Sequence, residues 1–245
     1  IVTSPPYWDL KNYFKKGQIG QETYEKYLER LKTVWKECFR ILKSDGNMFI
    51  NVNTRTKNKK PILIPGDIIK QCNNIGFFLK DIIIWHKSSG IPTSNKNLTD
   101  RYEYILWFEK KYERKISKKM LKQINDYKNE KLNYGNIWNI NRKAGSIGKD
   151  YIHPAIYPNK LVKRIIELVT NEGDIVFDPF LGSGTTLIEA ISSNRYFKGY
   201  EYNDGFYNLI HYRILQELSE INFDLRYHNL KQVKDFEVYR KTKKI

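Results

Sequence analysis

The stretch that most constrains this chain is Phe177-Asp178-Pro179-Phe180-Leu181-Gly182-Ser183-Gly184-Thr185-Thr186. A short apolar run, Asp174 to Phe177, leads into a turn bearing Gly182 and Gly184, and Thr185 to Ser192 follows with Leu187, Ile188 and Ile191 at helical spacing. Glycine lets the backbone turn sharply and lets a ligand reach the main chain where a β-carbon would intrude. The next apolar run, Tyr196 to Tyr200, ends at Glu201, about where nucleotide-binding βαβ units place an acceptor for ribose hydroxyls. Taken alone, a Gly-x-Gly turn is more often an ordinary strand-to-helix connection. A nicotinamide-dependent oxidoreductase would also carry such a turn and acid, but its third glycine is missing here.

A second informative stretch opens the chain. In Ile1-Val2-Thr3-Ser4-Pro5-Pro6-Tyr7-Trp8 a strand ends on two prolines, which have no amide N–H and fix φ near −65°. The Ser4 hydroxyl and the Pro5 carbonyl are then available as acceptors, with the flat faces of Tyr7 and Trp8 beside them. Such a group suits a planar amine; a surface turn with aromatic packing would have the same sequence. The chain begins at Ile1 inside this strand and without a methionine, so a further segment is expected upstream.

The rest of the chain alternates strand and helix patterns, which predicts a layered α/β sheet. Asp9 to Gln21 has no clear period and reads as a mobile loop that closes over substrate. Helices are expected over Thr23–Leu42, over Pro65–Ile75 with a start near Asp67, over Lys160–Val169 and through Tyr207 to Leu215. Strands are expected at Met48–Val52, at Phe77–Trp85 and at Tyr102–Phe108, the last two antiparallel, and a charged tail from Lys231. At 245 residues and 40% hydrophobic content, one large domain with a small insert is expected. Lys and Arg number 43 against 27 acids, a formal charge of +16, which favours a polyanionic partner, although the Lys enrichment that an AT-rich genome brings would also raise it. Cys38 and Cys72 are isolated, and the histidines are scattered, so neither a disulfide scaffold nor a metal site is predicted. No apolar run approaches the roughly 18 residues of a membrane span and no signal peptide opens the chain, so a soluble, cytoplasmic protein is expected.

From Glu109 to Asp150 the character changes to a basic, turn-rich passage. Lys110, Lys111, Arg114, Lys115, Lys118, Lys119, Lys122 and Arg142 are interleaved with Tyr112, Tyr127, Tyr134 and Trp138. A basic face is often only solvated surface; with aromatic residues between the charges it suits phosphates and bases.

Together, Thr3-Ser4-Pro5-Pro6-Tyr7-Trp8 and Asp178-Pro179-Phe180-Leu181-Gly182-Ser183-Gly184-Thr185-Thr186 resemble the two signatures of S-adenosylmethionine-dependent DNA amino-methyltransferases. The order, catalytic motif first and cofactor motif last, is similar to the permuted beta group of that family. Gln18 to Glu22, Ile41 to Gly46, Ile84 to Lys87 and His153 to Pro158 resemble landmarks of the group in the right order. The resemblance implies a Rossmann-like, mixed and mostly parallel sheet with helices on both faces. It implies a catalytic half over 1–108, a target-recognition insert over 109–150, and a cofactor half with the tail over 151–245. Members usually carry a Gly-Asp segment before the Ser-Pro-Pro-Tyr strand, and this sequence starts after that point, as a truncated N-terminus would.

The implied chemistry is methyl transfer from S-adenosylmethionine to the exocyclic amine of a base flipped out of double-stranded DNA, with Ser4, Pro5, Pro6 and Tyr7 as the catalytic group. Ser-Pro-Pro-Tyr resembles the cytosine-N4 subset, whereas adenine-N6 members more often have Asp or Asn in the place of Ser4. Adenine N6 is therefore the alternative target, and a non-catalytic DNA-binding subunit or relic is an alternative of another class. By the same resemblance the cofactor is held by Asp178, Pro179, Phe180, Gly182, Gly184, Thr185, Thr186 and Glu201, with His153 and Pro154 lining the pocket. A restriction-modification setting with a cognate endonuclease is the implied context, with no metal.

Overall fold

The alternation read from the sequence resolves, in a computed structural model, into strands β1 (Val2–Thr3), β2 (Asn47–Val52), β3 (Arg55–Lys57), β4 (Lys60–Ile62), β5 (Phe78–His86), β6 (Tyr102–Glu109), β7 (Ile137–Asn139), β8 (Ser146–Ile147), β9 (Tyr151–Ile152), β10 (Ile175–Asp178), β11 (Tyr196–Glu201), β12 (Phe223–Leu230) and β13 (Val233–Arg240). The helices are α1 (Tyr24–Ile41), α2 (Ile64–Ile75), α3 (Asn159–Val169), α4 (Thr185–Ser192) and α5 (Tyr207–Glu217). The structure describes residues 1–13, 15–87, 98, 100–112, 135–142, 146–147, 151–152, 156–219, 223–230 and 233–240. These fall into two compact units: one of Ile1–Thr3, Lys11–Gln18 and Lys143–Ile245, the other of Ser4–Leu10 and Ile19–Arg142.

In the second unit β2 pairs antiparallel with β6, β6 antiparallel with β5, and β5 parallel with β7. The buried faces carry Met48, Phe49, Ile50, Ile105, Leu106 and Phe108. Helix α1 is amphipathic and buries Tyr27, Leu31, Trp35 and Cys38. Thr23 caps it, its hydroxyl accepting from the Lys26 N–H. Helix α2 begins at Ile64, three residues before the start near Asp67 that the sequence suggested. Pro65 falls in its first turn, where the missing N–H leaves no bond unmade. Gly76 ends α2 at φ 117°, a left-handed conformation suited to glycine. Between β3 and β4, Asn58 and Lys59 both have positive φ, as a two-residue hairpin turn that follows strand twist requires.

In the first unit β10 and β11 run parallel with α4 between them in sequence, and β13 and β12 continue the sheet antiparallel. Antiparallel pairings thus have a larger share of both units than the mostly parallel sheet expected, because β6 returns directly beside β5 and a hairpin closes the chain. The segment from Lys231 read as a charged tail contains β13, which aligns Phe236 with Gly199 and Val238 with Phe197. Alternation of Phe236 and Val238 with Asp235 and Glu237 is the strand signal; the flanking lysines and arginines obscure it in composition.

Arg213 of α5 is wholly buried beneath the glycine turn. Its guanidinium donates to the Ser183 carbonyl at 2.9 Å, to Thr185 Oγ1 at 2.8 Å, to Asn159 Oδ1 at 3.3 Å and to Glu217 at 2.6 Å. The planar, five-donor fork ties α3, the turn, the start of α4 and α5 into one unit. Replacing it leaves several acceptors without their donor. Arg213→Met is predicted to lower unfolding free energy by about 3–5 kcal/mol, read as a shift of the urea midpoint.

Candidate active site

Glycine loop and strand ends build the first group of residues. Asp178 closes β10 with no solvent exposure. Its Oδ1 accepts from Thr3 Oγ1 at 2.6 Å and the Phe180 N–H at 2.9 Å; its Oδ2 accepts from Thr186 Oγ1 at 2.7 Å and the Tyr157 hydroxyl at 3.2 Å. Burial raises the Asp178 pKa above the ordinary aspartate value even though these bonds oppose the rise. All four donors come from the chain itself, so Asp178 shapes the loop. Burial also pushes the Tyr157 hydroxyl well above its usual range.

The loop then turns through Gly182 at φ 55° and Gly184 at φ 82°, and Gly184 stands at the start of α4. The Leu181 N–H donates to the Tyr200 carbonyl at 2.9 Å, which joins the turn to β11. Glu201, half-buried at the end of β11, accepts from the Gly182 N–H at 2.7 Å through Oε2 and from the Asn203 N–H at 2.7 Å through Oε1. Burial dominates the Glu201 environment and pushes its pKa up to about 7, while those backbone donors pull the other way. The Tyr202 N–H is a third backbone donor to this carboxylate, whose roughly four lone-pair sites exceed those bonds. A carboxylate fixed beside left-handed glycines fits a diol and a close-lying nucleoside, so these residues suit S-adenosylmethionine. Pro179 and Phe180 are half-buried, and Thr185 and Thr186 are buried in the first turn of α4. Thr186 is committed to Asp178, and Thr185 to Arg213.

Tyr13, Lys15 and Lys16, within the stretch Asp9–Gln21 read as a mobile loop, are tied to the turn after Glu201. Asn203 Nδ2 donates to the Tyr13 carbonyl at 2.5 Å, the Tyr202 hydroxyl to the Lys16 carbonyl at 3.0 Å, and Lys15 pairs with Asp204 at 2.7 Å. Tyr13 packs on the apolar cluster of Ile156, Phe206 and Leu209.

The Ser4-Pro5-Pro6-Tyr7 turn belongs to the second unit. Pro5 is buried, and Ser4, Pro6 and Tyr7 are half-buried. The Tyr27 hydroxyl of α1 donates to the Pro6 carbonyl at 2.7 Å. The Tyr7 hydroxyl donates to Glu103 Oε2 at 2.7 Å and accepts from Asn51 Nδ2 at 2.8 Å. Asn51 Nδ2 also reaches Glu103 Oε2 at 2.8 Å, and Lys87 Nζ donates to Glu103 Oε1 at 2.9 Å. Trp8 does not offer the open face that the sequence suggested. It is buried, donates from Nε1 to the Glu22 carbonyl at 2.8 Å, and has Lys57 3.9 Å from its ring centre. Gly20 explains part of this, since a β-carbon there would lie 2.3 Å from the Trp8 carbonyl oxygen.

Among the residues expected to meet DNA, Lys111 and Arg142 are exposed. Lys110 instead donates to the Leu42 carbonyl at 2.7 Å, satisfying the C-terminal end of α1 where cations are favoured. Arg114, Lys115, Lys118, Lys119 and Lys122, like His153 and Pro154 of the cofactor set, lie outside the described residues. Among the described residues no acidic, histidine or cysteine cluster could hold a metal, and no helix is long and apolar enough to cross a membrane. Thr3, Lys87 and Tyr157 lie in stretches that the family resemblance marks, whereas Asn51, Glu103 and Arg213 carry no role in the sequence reading. Asn51 and Glu103 interrupt otherwise apolar strands, and a polar residue in a buried strand needs a partner, which was the available signal.

The chain matches the family model described as DNA methylase over residues 1–212. It is 31% identical over 254 residues to the type II methyltransferase M.BglII of Bacillus subtilis, covering 96% of this chain and 68% of that one. It is similarly 31% identical to M.SmaI of Serratia marcescens, with 88% and 84% covered. The fold superposes on TTHA0409 of Thermus thermophilus, described as a candidate DNA modification methylase and crystallised with S-adenosyl-L-methionine, at a TM-score of 0.62 and 30% identity, over 88% of this chain and 84% of that one. The cytosine-N4-specific PvuII DNA methyltransferase shares the fold at a TM-score of 0.69 and 24% identity, over 87% and 78%. With both motifs carried in defined geometry and the match running through nearly the whole chain, it belongs to the N6/N4 DNA methylase family, S-adenosylmethionine-dependent enzymes that methylate exocyclic amines of DNA bases.

Proposed function

We propose that this protein methylates cytosine at N4 in double-stranded DNA as the modification enzyme of a restriction-modification pair. The observation that carries the choice of base is the neutral hydroxyl of Ser4 before Pro5-Pro6-Tyr7, where an acid or amide would favour adenine N6. The type II names of its relatives support the restriction setting and a cognate endonuclease.

An exocyclic amine is a poor nucleophile because its lone pair is delocalised into the ring. Acceptors for its two hydrogens favour a more tetrahedral nitrogen, and the Ser4 hydroxyl and Pro5 carbonyl serve as those acceptors. S-adenosylmethionine, when bound, supplies an electrophilic methyl group on a sulfonium. Base flipping costs a few kcal/mol, and stacking on Tyr7 returns about 1–3 kcal/mol without regard to base identity. Identity therefore rests on hydrogen bonds. Lys111, Arg142 and the basic residues Arg114, Lys115, Lys118, Lys119 and Lys122 contribute phosphate contacts, in a recognition insert spanning 109–150.

Glu201 receives the ribose hydroxyls. Its pKa of about 7 lies above the ordinary glutamate value of 4.5, so the folded chain holds that proton more tightly than the unfolded chain. The associated stability is present below about pH 4.5 and is lost as pH rises toward 7. Cofactor affinity moves the other way, because the ionised form accepts the hydroxyl protons best. Binding of S-adenosylmethionine, measured by calorimetry, is predicted to tighten by up to about tenfold per pH unit approaching pH 7, to level off above it, and to release a proton. Glu201→Gln should bind weakly and without pH dependence; a wild-type pH profile in that variant would remove Glu201 from the ribose site.

The decisive test of base is nucleoside mass spectrometry on plasmid DNA incubated with the enzyme and S-adenosylmethionine. N4-methylcytosine is the predicted product, and N6-methyladenine alone would contradict the assignment.

A further inference from the structure

Glu103 lies 96 residues from Tyr7 in sequence, yet its carboxylate organises the Ser-Pro-Pro-Tyr turn. It accepts from three donors, the Tyr7 hydroxyl, Asn51 Nδ2 and Lys87 Nζ, at 2.7, 2.8 and 2.9 Å. An ionised carboxylate can only accept. The single Tyr7 proton therefore points at Glu103, and the nitrogen rather than the oxygen of the Asn51 amide faces the pair. With its proton committed, the phenolic oxygen acts toward other neighbours as an acceptor. Ser4 Oγ lies 3.4 Å from it, at the long edge of hydrogen-bonding distance. In that contact the donor has to be Ser4. A Ser4 hydroxyl that sends its proton to Tyr7 presents lone pairs to anything else that approaches. Asn51 Oδ1, buried and with no hydrogen-bond partner among the described residues, adds a second acceptor to the same cluster.

We infer that Glu103 is a positioning residue that acts through Tyr7 to set the hydrogen-bond polarity of Ser4. The turn is thereby made an acceptor for N–H groups, which selects an amino-bearing base over a keto-bearing one at the same place. The chain of donors runs from Ser4 to Tyr7 to Glu103, and Lys87 and Asn51 hold the terminal carboxylate in register. This inference rests on the reading that Ser4 receives the target amine.

A double-mutant cycle tests it on the full chain with S-adenosylmethionine and a DNA substrate, using Glu103→Gln, Tyr7→Phe, the double variant and Ser4→Ala. Glu103→Gln is expected to lower kcat about 10- to 100-fold while KM for DNA changes less than about twofold. Tyr7→Phe keeps the ring for stacking and removes only the relay, so it should reproduce that split. In the Tyr7→Phe background Glu103→Gln should cost less than about threefold more, because the chain is already cut. Full additivity of the two changes, or a loss confined to KM, would overturn the inference. If Glu103→Gln does not fold, Tyr7→Phe alone decides, and an unaltered kcat refutes the relay. Ser4→Ala separates the two levels: an unchanged rate there removes the reading of Ser4 itself, whereas its collapse beside an additive pair removes only the relay.

Discussion

Much of the unit that carries the glycine turn depends on the carboxylate of Asp178. It has no solvent exposure, and its bonds to Thr3, Phe180, Thr186 and Tyr157 join the end of β10, the glycine turn, the start of α4, the segment before α3 and the end of β1. A buried carboxylate lacking such partners would be strongly unfavourable, so the geometry that supplies four donors is the geometry the loop must adopt. Thr3 immediately precedes Ser4 in the chain, and the same carboxylate therefore anchors the strand that leads into the Ser-Pro-Pro-Tyr turn. Arg213 completes this arrangement from beneath, through the Ser183 carbonyl and Thr185.

Three acids illustrate how environment divides labour among chemically similar groups. Asp178 is buried and saturated by the chain's own donors. Glu201 stands at a strand end with the backbone N–H groups of Gly182, Tyr202 and Asn203 on its carboxylate, and its raised pKa places its ionisation near neutrality. Glu103 is paired with Lys87, and its second oxygen orders Tyr7 and Asn51. Hydrogen-bond direction, more than charge, is what the last of these conveys to its neighbours.

Much of the fold was legible in the sequence because its signals are local. The helix over Thr185–Ser192 follows from Leu187, Ile188 and Ile191 after two glycines, and the antiparallel pair of β5 and β6 follows from two apolar runs. The family motifs marked Ser4 to Tyr7 and the Phe177 to Thr186 loop. The partners of those motifs were less legible because they are remote: Glu103, Asn51 and Arg213 stand out only as polar residues amid apolar ones, and nothing local says what each will meet. Trp8 looked available because an aromatic residue after two prolines often is; Lys57 and the Glu22 carbonyl, far along the chain, occupy it instead. The β13 strand was hidden by the lysines and arginines that surround it.

The claim that one buried carboxylate orders the glycine loop and the end of β1 is tested most directly by single-turnover methyl transfer with Asp178→Asn. Asparagine keeps the size but replaces one acceptor oxygen by a donor, which opposes the hydroxyls of Thr186 and Tyr157 or that of Thr3. The rate is predicted to fall by about 100-fold or more, the equivalent of two or three strong hydrogen bonds misdirected. A wild-type rate in that variant would contradict the account.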